Sequence, residues 1–361
     1  MSDNSTKRMI ARYMEEATAP LFLSGFFLTP PRNIHTAEKV EIDIQRDDEE
    51  VAVVIQDLSA GSRQNENSVY TNKLFTPPIY DEEGTITAYN LIKRVPGEDP
   101  FQDPNYGANA TNEAFAIFRK LERKIRRAIE LQAAQVLQTG TLDLVDENGT
   151  TLYALNFQPK ATHVATVGTE WAADGATGDP IADLDALAEV VRTDGKHDPN
   201  KIVFGTTAWT RFMANTRVRA ELDNRRINLG NIAPQARGRG ATKQGDFIIG
   251  SYSFELWTYN ATYTTAAGVG GTKYLAADKL IMLSDGRLDL SFGGIPRIPG
   301  ATDSSAMAFL PPRISDGGRG IDLSVFAWRT PDGKHLKVSA GTRPLTIPTA
   351  IDTFASLDVV P

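Results

Sequence analysis

The sequence predicts an α+β protein in which a long hairpin and a long helix accompany an inserted α/β region. The chain has 361 residues, enough for two or three domains. Apolar residues recur with a period of two from residue 38 and again after residue 320, which predicts strands. Between these regions, residues 112–138 carry one long amphipathic pattern with helical spacing.

Composition excludes several functional classes. Hydrophobic residues make up 41% and charged residues 23%, as in a chain with a large buried core. The net charge of −7 argues against coating nucleic acid through bulk charge. Without cysteine there is no disulfide, thiolate metal site or cysteine nucleophile, which is compatible with a reducing cytoplasm. No stretch of about 18 apolar residues predicts a membrane span.

The first 37 residues are predicted to form an N-terminal arm. Its apolar cluster lies around residues 19–28, but Glu15 and Glu16 precede that cluster and Ser24 and Gly25 divide it. This pattern differs from an export signal, which needs an uninterrupted apolar region. We therefore expect the aromatic residues of the arm to dock on an apolar surface.

Residues 38–94 are predicted to form one long projecting hairpin. Val40, Ile42 and Ile44 alternate with polar residues, residues 59–68 read as an exposed loop, and Thr85 to Lys93 reads as a returning strand. An isolated long hairpin leaves its edges in water. We therefore expect something outside this chain to cover it.

The long helix is predicted to begin after the capping side chains around Asn109 and Thr111 and to end at Gly140. Residues 119–127 hold six positive side chains and one negative, a net charge of +5. Residues 41–57 of the hairpin hold seven acids and one arginine, a net charge of −6. A solvated helix face is the plain interpretation of the basic run. The matching charges also suggest contact between neighbouring subunits.

We therefore predict an inter-subunit contact between the acidic hairpin and the basic helix, with the phosphates of DNA, contacted nonspecifically, as the alternative partner of the basic face. The predicted contact residues are Asp47, Asp48, Glu49, Glu50, Arg119, Lys120, Arg123 and Lys124.

Residues 166–312 read as an alternating α/β region. The pattern predicts helices over 183–192 and 207–222, a strand over 201–204, and a polar loop over 223–245. Arg237 and Arg239 belong to an arginine-glycine run, which we interpret as a loop that meets a symmetry partner rather than as a nucleic-acid motif.

No catalytic, cofactor or metal site is predicted. Residues 268–273 are rich in glycine but lack the ending of a phosphate-binding loop, so they read as a hairpin turn. Glu98, Asp99 and Asp103 could hold a hard cation, although two Asp-Pro steps favour a turn. The four histidines lie too far apart in sequence to form a ligand pair.

The order of parts resembles the major capsid protein of lambda-like tailed bacteriophages, which has the Hong Kong phage capsid fold. The likeness extends over nearly the whole chain, and residues 227–275 depart most from it. The residues that carry it are Pro20-Leu21-Phe22-Leu23, Phe26-Phe27, Thr36-Ala37-Glu38-Lys39-Val40, Arg94-Val95-Pro96-Gly97-Glu98-Asp99-Pro100, Asp103-Pro104-Asn105-Tyr106, Thr169-Glu170-Trp171, Ile202-Val203-Phe204, Trp209, Phe212 and Leu222-Asp223-Asn224-Arg225-Arg226.

The resemblance implies a structural protein that assembles from pentamers and hexamers into an icosahedral head shell around double-stranded DNA. It implies an N-terminal arm (1–37), an extended hairpin loop (38–94), a peripheral domain with the spine helix (95–165 and 313–361) and an axial domain (166–312). The arginine-glycine loop would lie near the capsomer centre. Scaffolding, portal and decoration proteins are the implied partners, with assembly in the host cytoplasm and residence in the virion.

Two alternatives stay open from the sequence. An encapsulin-like compartment shares the fold but encloses cargo enzymes instead of DNA. A cytoplasmic enzyme that uses the carboxylates of Glu98, Asp99 and Asp103 belongs to a different class.

Overall fold

A computed structural model describes ten stretches of the chain. They are residues 21–29, 40–45, 70–92, 106–145, 148–222, 230–238, 240–265, 267–286, 288–295 and 323–361.

The described helices, numbered along the chain, are α1 (Ala88–Ile92), α2 (Tyr106–Thr139), α3 (Pro180–Gly195), α4 (Thr206–Ala214) and α5 (Thr216–Leu222). The strands are β1 (Phe27–Leu28), β2 (Val40–Gln45), β3 (Tyr70–Phe75), β4 (Tyr80–Thr87), β5 (Thr141–Val145), β6 (Thr151–Asn156), β7 (Val164–Thr166), β8 (Lys201–Phe204), β9 (Gly230–Gly238), β10 (Ala241–Ile249), β11 (Tyr252–Tyr259), β12 (Thr262–Tyr263), β13 (Thr272–Lys273), β14 (Lys279–Leu283), β15 (Leu288–Phe292), β16 (Ser324–Arg329), β17 (His335–Thr342), β18 (Pro344–Ile347) and β19 (Phe354–Asp358).

The chain divides into two compact units. Unit 1 includes the described residues of Pro78–Ala128 and Gly294–Pro344, and unit 2 includes those of Pro20–Pro77, Ile129–Gly293 and Leu345–Pro361. The boundary falls within α2, so the two ends of this helix belong to different units. Each unit is a set of residues that pack mainly against one another. The five domain ranges inferred from the sequence stay predictions.

Unit 1 contains a three-stranded antiparallel sheet in the order β16-β17-β4. This sheet approaches α2 closely at Gly84, where an added Cβ atom would lie 2.3 Å from Cγ2 of Ile117. Glycine is therefore required on β4 for strand and helix to pack at this distance.

Unit 2 is built on a seven-stranded mixed sheet in the order β7-β19-β14-β8-β11-β10-β9. Its core includes the fully buried Trp171, Phe204 and Phe212, with α3 and α4 packed on the sheet strands. Helix α3 begins where the Asp179 side chain accepts a hydrogen bond from the Ala182 amide at 3.2 Å, with proline at its first position.

The aromatic part of the arm docks on unit 2, as the sequence predicted. The Phe22 ring lies 5.2 Å from the rings of both Trp257 and Tyr259. Phe27 is buried, and its strand β1 pairs with β15 in parallel. The aromatic residues of the arm therefore cover an apolar surface of unit 2, although their apolar run is interrupted in the sequence.

The predicted hairpin differs from the structure in its returning part. β2 pairs with β3, which confirms a hairpin between these strands. However, β4 pairs along its length with β17 rather than with β2, and the predicted strand over 85–93 ends at Thr87 before helix α1. Period-two alternation identifies a strand but not its partner, since the partner comes from more than 240 residues further along the chain.

The α/β region needs two corrections. The helix predicted over 207–222 is two helices, α4 and α5, because Asn215 adopts an extended backbone and its side chain accepts hydrogen bonds from the amides of Arg217 and Val218. The loop predicted over 223–245 contains β9 and most of β10, which pair with each other. Polar, glycine-rich sequence is compatible with a strand when a sheet edge supplies hydrogen bonds.

Other elements are confirmed, in whole or in part. Helix α2 contains the predicted 112–138, and Gly140 follows it with a φ of +66°. Its predicted start is wrong, because α2 begins at Tyr106 and Asn109 and Thr111 therefore lie inside the helix and do not cap it. The Thr111 hydroxyl donates to the Gly107 carbonyl one turn earlier at 3.0 Å, as hydroxyls inside helices do. The strand Lys201–Phe204 has the predicted bounds. Antiparallel pairing of β12 with β13 confirms a hairpin at the predicted turn, although only residues 268–271 of the predicted 268–273 lie between the strands and Thr272–Lys273 is β13 itself.

Candidate functional site

The basic face of helix α2 in unit 1 is the predicted site that the structure describes. Ala114, Leu121 and Ile125 are buried on one side of the helix at spacings of seven and four. The same periodicity turns Arg119, Lys120 and Lys124 toward solvent, while Arg123 is half-buried. The helix therefore presents a row of cations at its surface.

Part of this basic face is neutralised within the chain. The Lys124 ammonium donates to Glu82 of β4 at 2.7 Å, with side chains 60% and 35% exposed. Arg126 pairs with Glu122 one turn earlier at 2.8 Å. Among the residues that the structure describes, Arg119 and Lys120 make no ion pair. Their charges are the ones open to a partner.

Sequence reasoning missed Glu82 on β4, the acid that pairs with Lys124 at this site. Its neighbours Asp81 and Glu83 alternate to the other face of the strand and contact β17 instead. Asp81 accepts a hydrogen bond from Ser339 at 3.0 Å, and Glu83 pairs with Lys337 at 2.7 Å. Together with Glu82 they form three consecutive acids, a run visible in the sequence. The partner of Glu82 lies on α2 and those of Asp81 and Glu83 lie on β17, so only the tertiary structure reveals these contacts.

The other predicted contact residues are less fully described. Asp47, Asp48, Glu49 and Glu50 lie outside the described residues, as does Arg239. The backbone of Arg237 lies on β9, next to the end of that strand, rather than in an irregular loop.

Unit 2 contains a buried histidine, and its contacts are those of a residue that stabilises the fold. The His163 ring is fully buried, its Nδ1 atom lies 2.8 Å from the Phe354 carbonyl oxygen, and its Nε2 atom lies 3.2 Å from Asp194. Lys160 also pairs with Asp194. Burial raises the pKa of Asp194, but hydrogen bonds from Lys160 and His163 lower it by more, so the net pKa lies below its ordinary value. The group joins α3 to the start of β19.

The described residues contain neither a cluster of metal ligands nor a membrane-spanning helix. Within the described ranges no three histidine, aspartate or glutamate side chains cluster as metal ligands. Glu98, Asp99 and Asp103 lie outside those ranges. No described helix is both long and apolar enough to cross a bilayer.

The fold is similar to that of solved capsid proteins. A crystal structure assigned as the capsid protein of a prophage of E. coli CFT073 has a TM-score of 0.61 with 16% identity, covering 94% of this chain and 93% of that chain. The capsid structure of cyanophage P-SCSP1u has a TM-score of 0.48 with 10% identity over 99% and 93% of the two chains. The SrpI encapsulin of Synechococcus elongatus PCC 7942 has 0.47 with 13% identity over 99% and 92%. No curated protein matches.

The family follows from the sequence match. The family described as phage major capsid protein E matches residues 5–359, so this chain belongs to it. The chain is therefore a structural protein of the tailed-phage head shell, its copies associate with one another, and it resides in the virion. The resemblance inferred from the sequence is confirmed, and the family match favours the phage shell over the encapsulin alternative.

Proposed function

We propose that this chain builds the shell from pentamers and hexamers through contact between the acidic hairpin of one subunit and the basic face of α2 in its neighbour. The observation that carries this proposal is the exposure of Arg119 and Lys120, which make no ion pair among the described residues. In the hairpin, residues 41–57 carry a net charge of −6. Opposite charges fix the register of an interface, whereas buried apolar area supplies most of its free energy.

Exposed apolar side chains could supply the apolar area that such an interface buries. Val145 and Leu152 lie near the tip of the β5–β6 hairpin, with exposed fractions of 56% and 74%. Apolar side chains exposed near one another are common at protein interfaces. We therefore include this tip among the surfaces that meet a neighbouring subunit.

The charge contact is tested by replacing Asp47, Asp48, Glu49 and Glu50 with lysine. We expect closed particles to be lost at moderate salt, because like charges would then face each other across the interface. Gradient sedimentation followed by electron microscopy measures the yield of closed particles. The matched control reverses Arg119 and Lys120 to glutamate in the quadruple variant, which should restore part of the yield. Normal shells from the quadruple variant alone would contradict the proposal.

Packaged DNA is the second candidate partner of the basic face, on the strength of the same uncompensated cations. Reversal of Arg119 and Lys120 alone separates the two partners. Loss of empty shells indicates a subunit contact. Normal empty shells that retain less DNA indicate a phosphate contact.

The proposal includes further partners and a location for assembly. Scaffolding, portal and decoration proteins are expected to join the shell, and assembly is expected in the host cytoplasm. Arg237 and Arg239 are proposed to lie near the capsomer centre, where symmetry-related copies of this part of the chain meet. No catalytic residue or cofactor is assigned. Co-expression with neighbouring genes and identification of the proteins in purified particles tests these partners.

A further inference from the structure

A buried carboxylate in helix α2 binds the backbone of the N-terminal arm. Glu130 has an exposed fraction of 0% and lies in unit 2 with the arm segment Phe22–Ser24. Its Oε1 atom accepts from the amides of Phe22 at 3.1 Å and Leu23 at 2.8 Å, and from the Tyr259 hydroxyl at 2.7 Å. Its Oε2 atom accepts from the Ser24 amide at 2.9 Å and the Ser24 hydroxyl at 2.6 Å.

The five contacts suit an ionised carboxylate. Three amides and two hydroxyls direct donors at its two oxygens, and an ionised carboxylate can only accept. Burial raises the pKa of the Tyr259 hydroxyl, and the charge of Glu130 raises it further, so this hydroxyl stays protonated as a donor. No lysine or arginine among the described residues forms an ion pair with Glu130. The peptide groups of the arm therefore take the place that a cation often occupies beside a buried acid.

These hydrogen bonds fix a segment that has little regular structure of its own. Residues 24–26 form a single turn of 3₁₀ helix, and β1 has only two residues. Three successive amides that point to one carboxylate determine the backbone conformation at the start of this turn. The Phe22 ring then lies against Trp257 and Tyr259, and Leu23 is fully buried.

We propose that Glu130 is a positioning residue for shell assembly: it holds residues 22–24 on unit 2, and subunits that lose this contact do not close shells efficiently. The inference rests on the proposed function, since it concerns how the arm is presented when subunits associate. Glu130 acts on the arm backbone and not on a neighbouring subunit.

The anchor is tested first by hydrogen exchange on the full chain before assembly. In Glu130→Gln, one carboxylate oxygen is replaced by an NH₂ group that directs its own donors at the arm, so the arm loses one acceptor oxygen and the negative charge that strengthens the remaining hydrogen bonds. We expect the amides of residues 22–24 to exchange about tenfold faster or more, since hydrogen bonds to a charged group are lost. Glu122→Gln is the matched control on the exposed part of the same helix and should leave this exchange unchanged. Unchanged exchange in Glu130→Gln would overturn the proposal.

A second variant covers the case in which Glu130→Gln does not fold. Ser24→Ala removes one hydroxyl donor from the arm and leaves the carboxylate and its other four donors in place. We expect a smaller increase in exchange at residues 22–24, in the same direction. No increase in Ser24→Ala, with Glu130→Gln unfolded, would overturn the anchor.

Assembly is then measured on the same samples by sedimentation and electron microscopy. We expect Glu130→Gln to yield several-fold fewer closed shells than the unaltered chain. Faster exchange with a normal shell yield would overturn the role in assembly. If the unaltered chain forms no shells under any condition, the proposed function fails, whereas the exchange result still decides whether Glu130 holds the arm.

Discussion

The two ends of helix α2 differ in whether their charged side chains are exposed or buried. Up to Ala128 the helix carries a dense set of cations, and its ion pairs with Glu82 and Glu122 lie at the surface. From Ile129 onward its only charged residue is Glu130, which is fully buried. The part of α2 in unit 1 therefore has a charged face that is exposed to solvent, whereas the part in unit 2 has one carboxylate that is fully buried.

This difference shows what a charge needs in each setting. An exposed pair such as Lys124 and Glu82 exchanges water for a partner at little net gain, about 0 to 1 kcal/mol. A buried carboxylate loses its hydration and must recover it from protein donors. Glu130 recovers it from five hydrogen bonds, three of which involve the arm backbone.

The largest stability effect is expected in the buried end of the helix. Leu137 is fully buried, so Leu137→Ala should lower the free energy of unfolding by about 2 to 5 kcal/mol through lost burial and a residual cavity. Chemical denaturation of the full chain measures it. Leu131→Ala, at a half-buried position of the same helix, is the control and should cost less. Equal losses would remove the contrast between the two positions.

A smaller, pH-dependent effect is expected at Asp194, whose side chain is 21% exposed and thus lies between the two extremes. Because its pKa is lowered from 3.8, its contribution is complete above that pH and is lost as the pH falls through the lowered value. Asp194→Asn should therefore be less stable than the unaltered chain at neutral pH. The difference should shrink in acid. Unfolding measured from pH 7 to pH 3 tests this, and a constant difference would contradict it.

The smallest effect is expected at the exposed end. Lys124→Ala should change the free energy of unfolding by about 1 kcal/mol or less, because its ion pair with Glu82 is open to solvent. Denaturation at low and high salt measures this. A loss as large as that of Leu137→Ala would mean that the basic face has a structural role within the subunit.

Much of the secondary structure could be predicted from the sequence. The period of α2, the strand Lys201–Phe204 and the turn at residues 268–271 depend on local spacing and turn chemistry, which neighbouring residues determine. The pairing of β4 with β17 and the strand β9 could not be predicted, because polar or short strands accept several partners.

The sequence also contained a signal for Glu130 that periodicity analysis does not weigh. It is the only charged residue between Ala128 and Thr139, in a stretch otherwise apolar or neutral. A lone acid in such a stretch indicates a buried, hydrogen-bonded group but not its partners. Those partners are separated from it by 106 to 108 residues on the arm and by 129 residues at Tyr259.

The sequence by itself determined the class of fold and the positions of the principal charges, because these depend on spacing and local patterns, and its match to the family model gave the family. Only the tertiary structure decided which charges are compensated. It joined Lys124 to Glu82, left Arg119 and Lys120 without an ion pair among the described residues, and brought the arm amides to Glu130. Hydrogen bonds and ion pairs require distances of about 3 Å, and chain folding, not sequence separation, sets those distances.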